Sequence, residues 1–251
     1  MNKYDLCNLI YPAAQITAQR EEVRRGLVGE SVHLSQGRIT RICQRDLEHL
    51  FELYDRIFFQ SYFGNCFSGK ITFSLSKRMR NNAGMTVFPR NLSILPPQEE
   101  RYDIKMGLLL FFDYEKLERE KVVNGIKTRD SLEALQLVFE HELCHIIELH
   151  CYKKSNCQRE RFQSLALHLF GHTESCHRLP LMPEIAGEEY GLSVGDEVSF
   201  QADGKTFFGV ICRITRRATV MVPDVEGTFQ DSAGRRYSKY YVPLVMLKRR
   251  D

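Results

Sequence analysis

Two histidines and a glutamate near the middle of the chain have the spacing of a metal site on a helix. They are His141, Glu142 and His145, in the pattern H-E-x-x-H. Residues four apart on an α-helix project from one face about one turn from each other, so both imidazoles can reach one ion. Glu142 lies beside that pair, where its carboxylate can accept a proton from water without being a ligand. The pattern therefore predicts a zinc site that activates water for hydrolysis.

The residues around this motif predict the helix that must carry it. Apolar residues recur at helical spacing from Ser131 to Tyr152, and Asp130 with Glu133 forms the D-x-x-E pattern of a helix start. The apolar surface is broad, as is typical of a helix buried in a core. Histidine and glutamate side chains on such a helix need polar partners, and a metal ion supplies them.

The composition is that of an ordinary globular protein. Of 251 residues, 43% are hydrophobic and 27% are charged, and the net charge of +3 does not by itself indicate a nucleic-acid partner. The chain begins without a secretory signal pattern, and its longest apolar run, near Met106 to Phe112, is too short to cross a bilayer. We therefore expect a soluble, cytoplasmic protein without a membrane partner, whose eight cysteines are reduced thiols.

The segment ahead of the motif predicts one helix and three strands. The helix is expected from Arg45 to Phe63, and the strands from Lys70 to Leu75, from Met85 to Phe88 and from Tyr102 to Phe112. A cluster of turn-forming residues, Asn81 to Gly84, separates the first two strands. This order predicts a three-stranded antiparallel meander between two helices.

The order of these pieces resembles the SprT-like (Spartan-type) family of zinc metalloproteases, over about residues 45–175. H-E-x-x-H alone occurs in many unrelated metalloproteases, so the likeness depends on other segments. Those segments are Leu53 to Phe59, Ile71 to Ser74, Ser76 to Arg80, Ala83 to Thr86 and Arg161-Phe162.

The resemblance implies a small zincin-like domain in which a mixed sheet covers the metal-binding helix. It implies a peptidase with Glu142 as the general base and an edge strand that holds an extended peptide by backbone hydrogen bonds. It also suggests nucleic-acid-associated proteins as substrates. Lys77, Arg78 and Arg80 follow the first strand and are either a solvated charged turn or a contact for substrate or nucleic acid.

A catalytic zinc site needs a third protein ligand and one open position. The resemblance places that ligand at the start of the next helix, usually as a histidine, and the matching position here is Cys157. His172 is the alternative, because it follows the helix expected from Glu160 to Phe170. That helix is roughly 16 Å long at ~1.5 Å per residue, so Cys157 and His172 are not expected to bind the same ion. His150 is turned away from the ligand face.

Residues 191–251 have a different pattern, with short strands separated by glycine turns, which is typical of a small β-barrel. The segments V-G-D-E-V-S-F and G-V-I-C-R-I-T resemble SH3-like or KOW-type barrels at the level of the fold. Arg216, Arg217 and Tyr240 belong to a set of basic and aromatic residues that suits DNA or RNA. Acidic residues are interspersed with them, so a structural or protein-binding barrel is the alternative.

The sequence as a whole predicts an α+β protein in four parts. The parts are an N-terminal extension (1–44), a SprT-like zincin domain (45–178), a linker (179–190) and an SH3-like barrel (191–251).

The function predicted for this arrangement is that of a zinc-dependent endopeptidase with a protein or peptide substrate. Zinc is expected to be bound by His141, His145 and Cys157. The alternative is a non-catalytic binding module with a structural zinc site, in which the barrel binds nucleic acid or protein. Glu142 favours the peptidase, because a purely structural site has no use for a general base.

Overall fold

The computed structural model describes residues 1–34 and 37–250, which form two compact units. Unit 1 spans Met1–Leu179 and unit 2 spans Pro180–Asp251. Both contain helices and strands, so the predicted α+β class is confirmed. In the described ranges no helix is both long and apolar enough to cross a membrane.

Unit 1 contains the helix that carries the motif and further helices before and after it in the sequence. They are α1 (Lys3–Cys7), α2 (Ala13–Glu30), α3 (Gln44–Phe58), α4 (Tyr62–Asn65), α5 (Leu108–Phe112), α6 (Ser131–Tyr152) and α7 (Glu160–Phe170). Residues 1–44, expected to be an extension, contribute α1 and α2. Leu6, Val23 and Leu27 on these helices are fully buried, so the segment is part of the core of unit 1.

The helix expected from Arg45 to Phe63 is interrupted. α3 ends at Phe58, and two residues with left-handed backbone conformation follow it before α4 begins. The Asp55 carboxylate accepts hydrogen bonds from the backbone N–H groups of Phe63 and Gly64, at 2.9 and 2.8 Å. These bonds stabilise the break by satisfying backbone donors that would otherwise lack partners.

The three strands that were predicted ahead of α6 form a mixed sheet, so the predicted antiparallel meander is wrong. The strands are β1 (Lys70–Ser76), β2 (Gly84–Val87) and β3 (Arg101–Gly107), in the spatial order β1-β3-β2. β3 runs parallel to β1 and antiparallel to β2. The connection between β1 and β2, residues 77–83, is longer than a tight hairpin turn, and β3 occupies the place between the two strands.

The third strand is shorter than predicted, because Leu108–Phe112 forms α5. This run is buried from Leu108 to Phe111. A short, fully buried apolar run has the same pattern in a strand and in a helix, so periodicity could not separate the two. A short hairpin, β4 (Val122–Val123) with β5 (Ile126–Lys127), then leads to α6.

α6 crosses the core of unit 1. It begins at the predicted cap, where the Asp130 carboxylate accepts a hydrogen bond of 2.9 Å from the backbone N–H of Glu133. It ends at Lys153, whose left-handed backbone (φ 58°) terminates the helix. Phe139, Leu143 and their apolar neighbours on α6 are fully buried, as the broad apolar pattern predicted.

A buried carboxylate on α6 binds groups from three other parts of unit 1. Glu140 accepts two hydrogen bonds of 2.8 Å from the Arg20 guanidinium on α2. It also accepts one of 2.8 Å from the Tyr54 hydroxyl on α3, and lies 2.9 Å from Nε2 of His172. Since the carboxylate is fully buried, this network ties α2 and α3 to the metal-motif helix.

Cys7 in α1 and Cys151 near the end of α6 form a disulfide. The expectation that all eight cysteines are thiols is therefore wrong. The two residues are 144 positions apart, and no local cysteine spacing could indicate their pairing.

Unit 2 consists of a helix and an antiparallel sheet. The elements are α8 (Met182–Tyr190), β6 (Glu197–Ala202), β7 (Lys205–Ile214), β8 (Arg217–Pro223), β9 (Phe229–Gln230), β10 (Arg236–Pro243) and β11 (Lys248–Arg249). The strand order is β11-β6-β7-β8-β10-β9, which leaves β11 and β9 as edges. The sheet is thus open, and the closed barrel expected from the glycine turns is not observed.

The segment 179–190, expected to be a linker, contains α8. Ala186 on this helix is fully buried in one apolar cluster with Val198, Ile211 and Val220 of the sheet. The helix therefore belongs to the core of unit 2. Pro183 lies in the first turn of the helix, where proline is tolerated, and Gly187 lies in its interior. In the sequence, these two residues had indicated a linker.

Candidate metal centre

The structure brings together the three residues predicted to bind metal. Each of His141, His145 and Cys157 offers a ligand atom, and these atoms all lie within 4.8 Å of one another. The histidines lie one turn apart on α6, and Cys157 lies in the loop between α6 and α7. No other group of three such side chains is close enough to hold an ion in the part of the chain that the structure describes.

The two histidine rings are held in place by neighbours. Their centroids are 4.9 Å apart, and each packs against Phe162 of α7, at 4.9 Å for His141 and 4.5 Å for His145. Nδ1 of His145 lies 2.7 Å from the Ser155 hydroxyl, which leaves Nε2 for a metal ion. No described residue provides a hydrogen-bond partner for the buried Nδ1 of His141.

Burial sets the protonation state of the three candidate ligands. It lowers the pKa of His141 to about 3 and that of His145 to about 4, so both rings are neutral at physiological pH. Neutral imidazole is the form that binds metal. Burial raises the pKa of the Cys157 thiol, which therefore holds its proton until a cation displaces it.

Glu142 lies next to the histidines and beneath β2. Its side chain is buried, and its Oε2 accepts a hydrogen bond of 2.8 Å from the Thr86 hydroxyl on β2. A Cβ atom at Gly84 would lie 2.6 Å from Oε1 of Glu142, so the strand can approach this carboxylate closely only with a glycine there. Burial raises the pKa of Glu142 to about 7, although the Thr86 hydrogen bond lowers it. Such a carboxylate can accept and return a proton at neutral pH.

The other histidines considered as ligands have different partners. His172 is fully buried with Nε2 at 2.9 Å from Glu140, and it is absent from the His-His-Cys group. The two ring nitrogens of His150 lie 3.0 Å from the Glu100 carboxylate and 2.9 Å from the Tyr62 hydroxyl. Both histidines therefore belong to buried hydrogen-bond networks.

The basic residues predicted to contact substrate or nucleic acid are exposed. Lys77, Arg78 and Arg80 lie in the connection between β1 and β2. Arg216 and Arg217 lie at the turn between β7 and β8.

Tyr240 faces the core of unit 2, contrary to its predicted role in nucleic-acid stacking. Its ring packs against Phe200 and Phe207, with centroids 5.3 and 5.0 Å apart. Because side chains alternate along a strand, Tyr241 points to the opposite face and is 64% exposed. The exposed face also carries Phe208, which lies beneath the Arg250 guanidinium at 4.7 Å.

Several residues of the site carry no sequence signal of their own. Thr86 and Glu142 are 56 positions apart in the sequence. Ser155 belongs to no motif, and only the structure shows its contact with His145. Phe162 was noted through the family likeness, and its packing against both histidines gives that position a physical role. No protein-family model, curated protein or solved structure matches this chain.

Proposed function

We propose that this protein is a zinc-dependent endopeptidase of the SprT-like type. One observation carries the proposal: a buried carboxylate whose pKa is raised to about 7, Glu142, lies beside a group of two histidines and a cysteine. A purely structural zinc site has four protein ligands and no need for a general base. Three ligands with an adjacent base are what metal-assisted hydrolysis requires.

The donor set suits zinc, because two neutral imidazoles and a thiolate are ligands that this ion commonly takes. When bound, zinc polarises a carbonyl group and lowers the pKa of a coordinated water to about 7. Glu142 accepts a proton at Oε1, the oxygen that Thr86 leaves free, and then donates it to the leaving amine. With zinc bound, the thiolate of Cys157 would add negative charge, which would make a coordinated water a weaker acid than three histidine ligands would.

Strand β2 is the element that we propose to hold the substrate. It forms one edge of its sheet and lies on α6 through Gly84 and Thr86. Met85 and Val87 alternate with them and are each 41% exposed. An extended peptide can pair with the free edge of β2 through backbone hydrogen bonds, beside Glu142 and the ligands.

We propose zincin-like and SH3-like as the finer descriptions of the two units. The mixed sheet over α6 supports the first. For unit 2, support comes from the antiparallel order of β6, β7, β8 and β10, after which β11 returns to pair with β6.

The proposal is tested by the peptidase activity of the Glu142→Gln variant on casein. Because a general base contributes ~10²–10⁴-fold to a rate, we expect activity to fall by at least about 10²-fold. Zinc content should stay at the wild-type level, because Glu142 is not a ligand.

Glu133→Gln serves as the matched control, since Glu133 lies on the same helix and binds the Arg129 backbone away from the site. Its activity should equal that of the wild type. Full activity in Glu142→Gln would refute Glu142 as the general base. A zinc-loaded wild type without peptidase activity would leave the structural-zinc alternative as the explanation of the site.

A further inference from the structure

Glu148 is a buried carboxylate that the proposed chemistry does not use. It lies on α6, three residues after His145, and is 0% exposed. Its Oε1 accepts a hydrogen bond of 2.7 Å from Nε of Arg161, and its Oε2 accepts one of 3.0 Å from the backbone N–H of Asn156. Burial of a charge is unfavourable unless it is paired, so the Glu148 carboxylate depends on these two partners.

The two partners of Glu148 lie on either side of Cys157 in the sequence. Asn156 immediately precedes the cysteine, and Arg161 lies in the first turn of α7 just after it. Arg161 also donates through Nη2 to the carbonyl of Lys154, at 3.2 Å. One carboxylate thus binds the chain on both sides of the third candidate ligand.

The same loop contacts the metal-binding helix at a second point. The Ser155 hydroxyl lies 2.7 Å from Nδ1 of His145. On the far side, the Ser175 hydroxyl donates to the Cys157 carbonyl at 3.0 Å. The backbone on both sides of Cys157 is therefore fixed by hydrogen bonds, while its Sγ atom stays available within the His-His-Cys group.

We propose that Glu148 is a positioning residue for the metal centre. By binding Asn156 and Arg161, it holds Cys157 within reach of the same ion as His141 and His145 before any ion arrives. A ligand that is already in place costs less to order on binding, which appears as tighter metal affinity. The inference rests on the proposed zinc site, and it assigns Glu148 a role in metal affinity that differs from a general contribution to stability.

The test uses the full-length, metal-free protein titrated with Co²⁺ in competition with a chromophoric chelator. Thiolate ligation is followed by the sulfur-to-cobalt charge-transfer absorption. Loss of a residue that orients a ligand typically costs ~10–100-fold in metal affinity, and we expect that loss for Glu148→Gln. The charge-transfer band should weaken in the same variant. Arg161→Met, which changes a side chain that is 49% exposed and keeps Glu148 itself, should show the same direction of change.

Asp55→Asn is the matched control. Asp55 is also a buried carboxylate that accepts two backbone hydrogen bonds from a turn, but that turn carries no candidate ligand. We expect its Co²⁺ affinity to equal that of the wild type even where its melting temperature falls. An equal loss of affinity in Asp55→Asn and Glu148→Gln would show a general stability effect and overturn the inference.

The remaining outcomes separate this inference from the proposed function. If the wild type shows no thiolate band, or Cys157→Ser keeps it, the metal centre itself is wrong. If the wild type shows the band and both Glu148→Gln and Arg161→Met keep it with unchanged affinity, the centre stands and the positioning role of Glu148 is refuted. Should Glu148→Gln fail to fold, Arg161→Met decides by the same criteria.

Discussion

At the scale of single residues, burial moves the pKa values of neighbouring groups on α6 in opposite directions. The pKa of His141 is lowered to about 3 and that of His145 to about 4, while the pKa of Glu142 is raised to about 7. In each case burial disfavours the charged form, which is the protonated form of histidine and the ionised form of glutamate. Binding of a metal ion would therefore require no proton loss from the histidines, but it would require proton loss from the Cys157 thiol.

This difference predicts the number of protons released when zinc binds. At a pH of about 8, where Glu142 is mostly ionised and both histidines are neutral, we expect Cys157 to release about one proton per zinc, in addition to any proton that a coordinated water releases. The release is measured by titration calorimetry in buffers that differ in ionisation enthalpy. In Cys157→Ser the release should fall by about one proton per zinc, because the hydroxyl keeps its proton. An unchanged release in this variant would identify another group as the source.

The sequence could predict His141, Glu142 and His145 because their relation is local, within one turn of helix. The residues that orient them could not be predicted in the same way. Glu148 meets Asn156 and Arg161 only because Lys153 turns the chain back after α6, through a left-handed conformation that no strong glycine signal marked. Family likeness singled out Cys157, whose ligand atom lies within 4.8 Å of those of both histidines. Its spacing alone had left His172 as a rival.

At the scale of elements, the close packing of β2 on α6 determines where the Glu142 carboxylate lies. At Gly84 the two elements leave no room for a side chain. A Cβ there would lie 2.6 Å from Oε1 of Glu142 and 2.8 Å from Cγ1 of Val138. Either β2 or the carboxylate would have to move.

We therefore expect Gly84→Ala to lower peptidase activity by about tenfold or more while zinc content is kept, since small displacements of a catalytic group have large effects. Overpacking should also cost ~1–3 kcal/mol of unfolding free energy. The measurements are kcat/KM on casein and chemical denaturation.

Gly29→Ala is the control for this substitution, because nothing lies within 4 Å of a Cβ at that helical position. Activity there should be unchanged, and stability should rise by roughly 0.5–1 kcal/mol. Wild-type activity in Gly84→Ala would show that the approach of β2 to Glu142 does not matter for catalysis.

The strands themselves were largely visible in the sequence, and their arrangement was not. Alternation predicted β1 and β2 closely, because Phe73 and Thr86 lie in regular period-two segments. Their pairing depends on β3, which comes from later in the chain and pairs with both. Nothing in the local pattern of β1 or β2 specifies that a third strand will separate them.

At the scale of the whole molecule, unit 1 depends on its N-terminal helices. Arg20 supplies the cation for the buried carboxylate of Glu140, which is adjacent to the first candidate ligand. Leaving a buried charge without its partner typically costs ~3–5 kcal/mol, a large part of the ~5–15 kcal/mol that stabilises a domain. Residues 1–44 were predicted to be a separate extension. Their role in the core could not be predicted, because Arg20 and Glu140 are 120 positions apart in the sequence.

A fragment of residues 45–179 is therefore expected not to fold, whereas residues 1–179 should fold alone. The longer fragment should show a cooperative thermal transition by circular dichroism, and the shorter one should show none. Residues 180–251 provide a comparison, because their own apolar cluster predicts cooperative unfolding without unit 1. A cooperative transition in the 45–179 fragment would mean that α1 and α2 are dispensable for the core.

The long-range pairs of unit 1 also bear on how the chain folds during its synthesis. Arg20 precedes Glu140 by 120 residues, and Cys7 precedes Cys151 by 144. At ~5–20 residues per second, Arg20 is made roughly 6–24 s before its partner. Throughout that interval the apolar side of α2 is not yet covered by α6, and the thiol of Cys7 has no disulfide partner. The core of unit 1 can therefore be completed only after α6 has left the ribosome, late in the synthesis of this unit.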